Sequence, residues 1–422
     1  MGWGAQAMEI STSSTSDGVL VCMHDLSYDR TTTGSGQIHA QSSSVLEGIG
    51  VRQAQLGPAW IRTPLPRVPL LQDVLRRFGG HAVLCMEAKR DSDYPAMMAM
   101  IENHGLQDSI IVKAFHTSPS IGKAKRSGYP VVAYLGALDT DEDTVRATAA
   151  RLDPRTDYLA LPTTRRQDAG APLNQTVVRA AVDSGLPVWV YPVHRRSEAD
   201  YFTGLGVQGI ITSSVGYVTS RTASTAADTW NTGAIASGEM TRAPGSASWA
   251  PQWHSGGVTL AVPERQHFLT LGQFAPVPRT HSDYRIDFEA RWDTLPSDRS
   301  SHLDLVFGHT DDRYYEHGLG SGNGYHAILR ADGSLELFRH QLGSAEGHRL
   351  AGPVNTAAPA AGRWMRFSLR VSPDHISWAR LDDGPDSNVT AANASYRGGY
   401  LHIGRTAVDP DSAVSFRNFR VT

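Results

Sequence analysis

The sequence has few of the features that would tie it to a disulfide scaffold, a membrane or a nucleic acid. It holds two cysteines in 422 residues, too few for a disulfide framework. Cys22 and Cys85 both fall inside apolar, strand-like runs, where a thiol serves as a small hydrophobe. No run approaches the roughly 20 apolar residues of a bilayer span, so no transmembrane segment is expected. A formal net charge of −3 without a basic cluster leaves no electrostatic case for nucleic acid or anionic lipid. A secretory leader is also missing: Met1-Gly-Trp-Gly runs straight into a strand pattern, with no basic start or apolar stretch. A domain rarely opens so close to a central strand, so further residues upstream of Met1 are expected. The compartment is left unassigned, with an extracellular location following if a leader lies upstream. What remains is 40% hydrophobic and 19% charged, the balance of a globular protein, at a length that calls for two domains.

Two hydropathy periods divide the chain. From Ala7 to about Val215, apolar runs alternate with helical patterns. Strands are expected at Ala7–Ser11, Ala82–Lys89, Ile110–Phe115, Val131–Gly136, Tyr158–Pro162, Pro187–His194 and Gly209–Thr212. Helices are expected at Leu70–Phe78, Asp143–Leu152 and Leu173–Asp183. Alternating strand and helix implies parallel strands joined by crossovers. The seven-strand count, with Val19–His24 as an added hairpin arm, fits an eight-stranded α/β barrel short of its first strand; an open doubly wound sheet fits the alternation too, but no Gly-rich phosphate loop follows any strand. From about Trp249 the period becomes two. Tyr284, Ile286, Phe288, Ala290 and Trp292 share one strand face, and many short strands follow, as in an antiparallel sandwich. The expected organisation is a barrel over 1–220, a Ser/Thr/Ala/Gly-rich linker or loosely docked strand over 221–248, and a sandwich over 249–422.

The candidate chemistry gathers around Asp17-Gly-Val-Leu-Val-Cys-Met-His24-Asp25. Asp17-Gly18 signals a tight hairpin. Before it, Glu9 and Ser11 are two apart and share a face. In Ala82–Lys89 the same parity puts Val83, Cys85, Glu87 and Lys89 together, with Glu87 and Lys89 at the strand's C-terminal end, where α/β barrels carry their sites. Two carboxylates meeting at one mouth beside an imidazole suit a hard cation and a proton shuttle; a plain buried Glu87–Lys89 ion pair is the alternative. Asp25 points off the face of His24 and is not expected to join the site. Lys113 and His116, at another strand end, weigh equally as contact and as structure, and so does His194. Trp189 and Tyr191 face alike, as a substrate wall or as filling.

These segments together resemble the glycerophosphodiester phosphodiesterase family. The resemblance rests on Glu9-Ile-Ser11, Asp17 through Asp25, Asp29-Arg-Thr-Thr-Thr-Gly34-Ser-Gly36, Pro69-Leu-Leu-Gln-Asp-Val-Leu75, Glu87-Ala-Lys89 and Gly209-Ile-Ile-Thr212. It implies a (β/α)8 barrel in which Ca²⁺ or Mg²⁺ holds the phosphodiester while histidines serve as acid and base, giving glycerol 3-phosphate and an alcohol. It also implies that Glu9 and Glu87 are metal ligands, that His24 is one of the acid/base histidines, and that Lys89 lies beside the phosphate. Two departures stand out. Ser11 occupies the position of a family Asp, and the family's His-Arg-Gly strand, which would precede Glu9, is absent. The expected reading is a polypeptide that begins further upstream; the alternative is an impaired barrel acting as a scaffold.

The second half resembles concanavalin A-like and laminin-G-like sandwiches in strand order, carried by Tyr284–Trp292, the Asp332-Gly turn, Trp364–Val371 and Phe416-Arg-Asn-Phe419. That resemblance implies a glycan ligand, with the loop around Asp311-Asp312 and Tyr314-Tyr315 as its candidate or as a solvated turn. The expected substrate is a glycerophosphodiester or a glycerol-phosphate polymer.

Overall fold

The computed structural model describes residues 4–52, 64–164, 173–230, 239–240, 252–254, 257–260, 266–277, 283–315, 320–407, 409 and 411–422. They divide into two compact units whose main boundary lies between Gly216 and Tyr217. Of the stretch expected as a linker, 221–230 and 239–240 are described and the rest lies outside the described residues. Trp230 is buried in the core of the second unit.

The first unit is an incomplete (β/α)8 barrel. Its strands are β1 (Ala7–Ser14), β2 (Leu20–Cys22), β3 (Val83–Ala88), β4 (Ile110–Phe115), β5 (Val131–Tyr134), β6 (Tyr158–Pro162), β7 (Val188–Tyr191) and β8 (Gly209–Ile210). They form one sheet in the order β2-β1-β3-β4-β5-β6-β7-β8, with every pair parallel except β1 and β2. Helices α1 (Leu71–Phe78), α2 (Tyr94–Asn103), α3 (Pro119–Arg126), α4 (Glu142–Ala149), α5 (Gln175–Val182) and α6 (Arg196–Gly204) supply the crossovers, and α7 (Val215–Thr219) follows β8. Local chemistry starts several of them. The Ser118 hydroxyl caps α3 ahead of Pro119, the Asp141 carboxylate accepts from the Thr144 N–H at α4, and Asn174 caps α5.

Strand parity sorts the side chains as the sequence implied. Leu84 and Met86 pack outward into a core with Leu71, Met97 and Ile101 of the helices. Cys85 faces inward with Ile111, Val132 and Ala160. The hairpin turns at Gly18, whose φ of +83° only glycine adopts without strain. It then folds β2 back along β1, pairing Thr12 with Cys22, Ser13 with Val21 and Ser14 with Leu20. β2 thus pairs with one edge of β1 over its last three residues. Among the described residues β8 closes the other end of the sheet and does not pair with β1.

The second unit is an antiparallel β-sandwich. Its strands are β9 (Glu239–Met240), β10 (Gln252–His254), β11 (Gly257–Leu260), β12 (Gln266–Leu271), β13 (Tyr284–Thr294), β14 (His302–Gly308), β15 (Gly324–Arg330), β16 (Ser334–His340), β17 (His348–Asn355), β18 (Met365–Val371), β19 (His375–Arg380), β20 (Asn388–Ala392), β21 (Gly398–Thr406) and β22 (Ala413–Val421). One sheet runs β10-β11-β22-β13-β18-β19-β20 and the other β17-β16-β15-β14-β21-β12-β9. Ile286, Phe288, Ala290 and Trp292 are buried on one face of β13, and Phe288 stacks on Phe367 and Trp378 at 5.4 and 5.9 Å. The loop around Asp312 and Tyr315 is not a solvated turn: both side chains are buried, and Tyr315 packs edge-on against Phe268.

Candidate active site

The register of the parallel strands builds the site. Ser11 of β1 lies level with Glu87 of β3, and the β3–β4 pairing carries that level on to Lys113 of β4. All three side chains point inward, because inward positions recur every second residue. Glu9 sits one inward step below Ser11, opposite Cys85, and reaches up. The result is a cluster at the C-terminal end of the strands, with Cys85, Ile111, Val132 and Ala160 as its apolar floor.

Glu87 is its centre. Its carboxylate accepts from the Ser11 hydroxyl at 3.2 Å, Lys113 Nζ at 2.7 Å, Lys89 Nζ at 3.0 Å and the Tyr134 hydroxyl at 2.7 Å. Lys113 Nζ also donates to Glu9 at 3.0 Å, so one ammonium spans both carboxylates; it lies 4.4 Å from the centre of the Tyr134 ring. Ser11 makes a longer contact of 3.4 Å to Glu9. Glu87 and Lys113 are 3% and 7% exposed, whereas Lys89 and Glu9 reach 15% and 27% and form the rim. Burial alone would push the Glu87 carboxyl up. The Lys113 and Lys89 charges, with hydrogen bonds from Lys113 and Tyr134, outweigh it and hold the group down at about 2. Burial tends to discharge Lys113, but Glu9 and Glu87 hold its ammonium charged and raise its pKa. Two carboxylates and two ammonium groups leave the cluster formally neutral.

Of the residues singled out in the sequence, Glu9, Ser11, Glu87 and Lys89 come together here. His24 does not join them by contact. It stands 69% exposed after β2, and its Nδ1 lies 2.9 Å from Asp25 Oδ1. Asp25 is in turn held by Arg30 at 2.6 and 2.8 Å. Along a regular strand Asp25 would face away from His24, as expected from the sequence; the strand ends at Cys22, and the loop beyond it lets the carboxylate turn back to the ring. Position at a strand end ranks Lys113, the cluster's central cation, no higher than His116, although their spacing of three already separates their faces. His116 is buried elsewhere, with Nδ1 3.3 Å from the Thr148 hydroxyl. The His194 backbone N–H donates to Glu198 at 2.8 Å. No motif in the sequence marks Tyr134 for the site, while Tyr191 does line the interior, its ring 5.9 Å from that of Tyr134.

The C-terminal strand ends, where an α/β barrel carries its active site, here present paired carboxylates and lysines. Residues 2–217 match the glycerophosphoryl diester phosphodiesterase family. The chain belongs to that family and is a phosphoric diester hydrolase by that membership. It is 27% identical over 237 residues to a glycerophosphodiester phosphodiesterase of Bacillus subtilis, covering 50% of this chain and 74% of that protein. Among solved structures, a glycerophosphodiester phosphodiesterase from Agrobacterium tumefaciens is 19% identical, with a TM-score of 0.38 and coverage of 51% of this chain and 87% of that one. A phosphodiesterase from Oleispira antarctica, solved with the product sn-glycerol-3-phosphate, is 16% identical, with a TM-score of 0.42 and coverage of 51% and 85%.

Proposed function

We propose that the barrel hydrolyses glycerophosphodiesters to glycerol 3-phosphate and an alcohol, at the mouth formed by Glu9, Glu87, Lys89 and Lys113. The observation that carries this reading is the convergence of the two glutamates on one shared position, inside a chain of this family. A divalent cation fits the donor set. Two carboxylates and the Ser11 hydroxyl are hard oxygen ligands, and the position between them already holds positive charge in the form of Lys113 Nζ, 3.0 and 2.7 Å from the two acids. Glu9 and Glu87 would hold Ca²⁺ or Mg²⁺, with Ser11 as a neutral neighbour. When bound, the ion supplies positive charge to the phosphodiester oxygens.

The chain's own residues do the rest. Lys89, at the rim, and Lys113, deeper, offer ammonium donors to a phosphodiester whose charge grows towards the transition state. Tyr134 and Glu87 fix the Lys113 ammonium, so its charge is preorganised. His24 acts as a proton donor or acceptor through Nε2, while Asp25, tied by Arg30, orients the ring through Nδ1. The alcohol portion meets the aromatic side of the mouth at Tyr134 and Tyr191.

A second reading, an impaired barrel serving as scaffold, is favoured by one observation: Glu87 already has four hydrogen-bond donors and the cluster is neutral without any ion. Release of glycerol phosphate from glycerophosphocholine, with and without EDTA, separates the two. EDTA-sensitive release that weakens in Glu87→Gln supports hydrolysis. No metal-dependent release from a chain extended upstream of Met1 overturns it. For the sandwich, a glycan ligand or a glycerol-phosphate polymer as tether rests on the strand-order resemblance. Retention on immobilised cell-wall polymer is its test, and a flow-through indistinguishable from that of the separate barrel unit would reject it.

A further inference from the structure

The outer face of one sandwich sheet carries a histidine cluster that the phosphodiesterase reading does not use. His302 and Asp304 are two apart on β14, so both point away from the core that takes Leu303, Leu305 and Phe307. The β14–β15 pairing sets Val306 opposite His326, which puts His326 diagonally across from Asp304 on the same face. The Asp304 carboxylate is fully buried, and one oxygen, Oδ1, meets both rings: His326 Nε2 at 2.7 Å, and His302 Nδ1. The three ligand atoms lie within 4.8 Å of one another.

We propose that His302 Nδ1, Asp304 Oδ1 and His326 Nε2 form a binding site for a zinc-like transition-metal ion in the sandwich unit. Three further observations support it. First, the ligands are held from behind. Thr406 Oγ1 donates to Asp304 Oδ2 at 3.3 Å, and His326 Nδ1 lies 3.2 Å from His340 Nε2. Metal-bound imidazoles are oriented through their second nitrogen in this way. Second, the cluster opens on a cavity of about 260 Å³ that His302, His326 and His340 line together with Gln266, Arg330 and Thr406. An ion can enter there, and a fourth ligand can reach it, as at zinc sites with three protein ligands. Third, two ring nitrogens converge on one buried carboxylate oxygen, where each either donates an N–H or, in its other tautomer, presents a lone pair to a metal ion.

The donor set selects the ion. Two imidazoles and one carboxylate suit Zn²⁺, Co²⁺ or Ni²⁺, and they disfavour Ca²⁺ and Mg²⁺, which take all-oxygen cages. Ligands about 2.1 Å from a tetrahedral ion sit roughly 3.4 Å apart. Seating the ion therefore asks both histidine–Asp304 pairs to open, the His302 pair the more, by up to about 1 Å.

The test uses the full chain, stripped with EDTA and exchanged into metal-free buffer, then titrated with ZnCl2 by calorimetry. One site is expected that excess CaCl2 does not displace. His302→Ala should weaken it by at least about 100-fold and His340→Ala by about 10–100-fold, while Glu87→Gln in the barrel leaves it unchanged. His302→Gln, which keeps a donor towards Asp304, guards against loss through misfolding and should also weaken binding at least about tenfold. Co²⁺ should give the visible absorption of a four-coordinate ion in the wild type, and His302→Gln should abolish it. Wild-type zinc binding no tighter than about 0.1 mM overturns the proposal, and so does equal affinity in wild type and His302→Gln. Neither result bears on the barrel, whose hydrolysis is assayed separately.

Discussion

Replacing Lys113 by Met tests the centre of the barrel site. Met retains most of the apolar stem, so the change is chiefly the loss of one ammonium 3.0 Å from Glu9 and 2.7 Å from Glu87. Holding the Glu87 carboxyl at about 2 instead of its ordinary 4.5 is worth about 3–4 kcal/mol at neutral pH, from 2.5 pH units at about 1.4 kcal/mol each. Lys113 is the leading attraction in that shift, and removing one partner of a buried pair commonly costs about 3–5 kcal/mol. A loss of about 3 kcal/mol at pH 7 is therefore expected. The sign with pH follows. A depressed carboxylate stabilises the fold above its unfolded pKa, and that contribution fades as pH falls from about 4.5 to about 2. The gap between wild type and variant should be widest at neutral pH and narrow below 4.5. If Glu9 and Glu87 bind Ca²⁺ or Mg²⁺, the variant should also recover about 3 kcal/mol at 100 times the dissociation constant. The assay is urea unfolding followed by hydrogen exchange in peptides spanning β3 and β4, since a global probe mixes the two units. A gap under about 1 kcal/mol at pH 7, or one equally large at pH 3, refutes the electrostatic reasoning. A Lys113→Met variant whose stability no divalent cation raises refutes the metal fit.

His24→Ala should lower turnover of glycerophosphocholine by about 10²–10⁴-fold and shift stability by no more than about 0.5 kcal/mol, because the ring is exposed; unchanged turnover removes His24 from the mechanism. Asp25→Asn should lower turnover less, by loosening the ring while Arg30 loses its ionic partner, and a variant as active as wild type would deny Asp25 its orienting part. Ser11→Asp sets a third carboxylate level with Glu87 and should tighten divalent-cation binding roughly tenfold or more; calorimetry showing equal or weaker binding contradicts the shared site. In the sandwich, Trp378→Ala empties the stack against Phe367 at 5.0 Å and Phe288 at 5.9 Å. It should cost about 3–5 kcal/mol, seen as lost near-ultraviolet dichroism on mild heating, and a loss under 1 kcal/mol would mean that the stack is not a keystone.

What the amino-acid order determined unaided was whatever depends on local periodicity. The alternation within Val83–Ala88 put Cys85 and Glu87 inside and Leu84 and Met86 outside; Asp17-Gly18 gave the hairpin; Tyr284 to Trp292 gave a strand with one buried face. Each follows from a repeat of two or from a glycine's dihedral freedom, properties a short peptide already has. Cross-strand level is another matter, because register is fixed by the packing of a whole sheet. Only the folded sheet brought Ser11, Glu87 and Lys113, 102 residues apart at the extremes, to one height, and so made Lys113 the cation between two acids. The same holds for Asp25, whose turn towards His24 depends on where β2 ends, and for His302, Asp304 and His326, which meet only because β14 and β15 pair as they do. Side-chain direction is a local property of the chain, whereas the neighbour a side chain meets is set by contacts far along it.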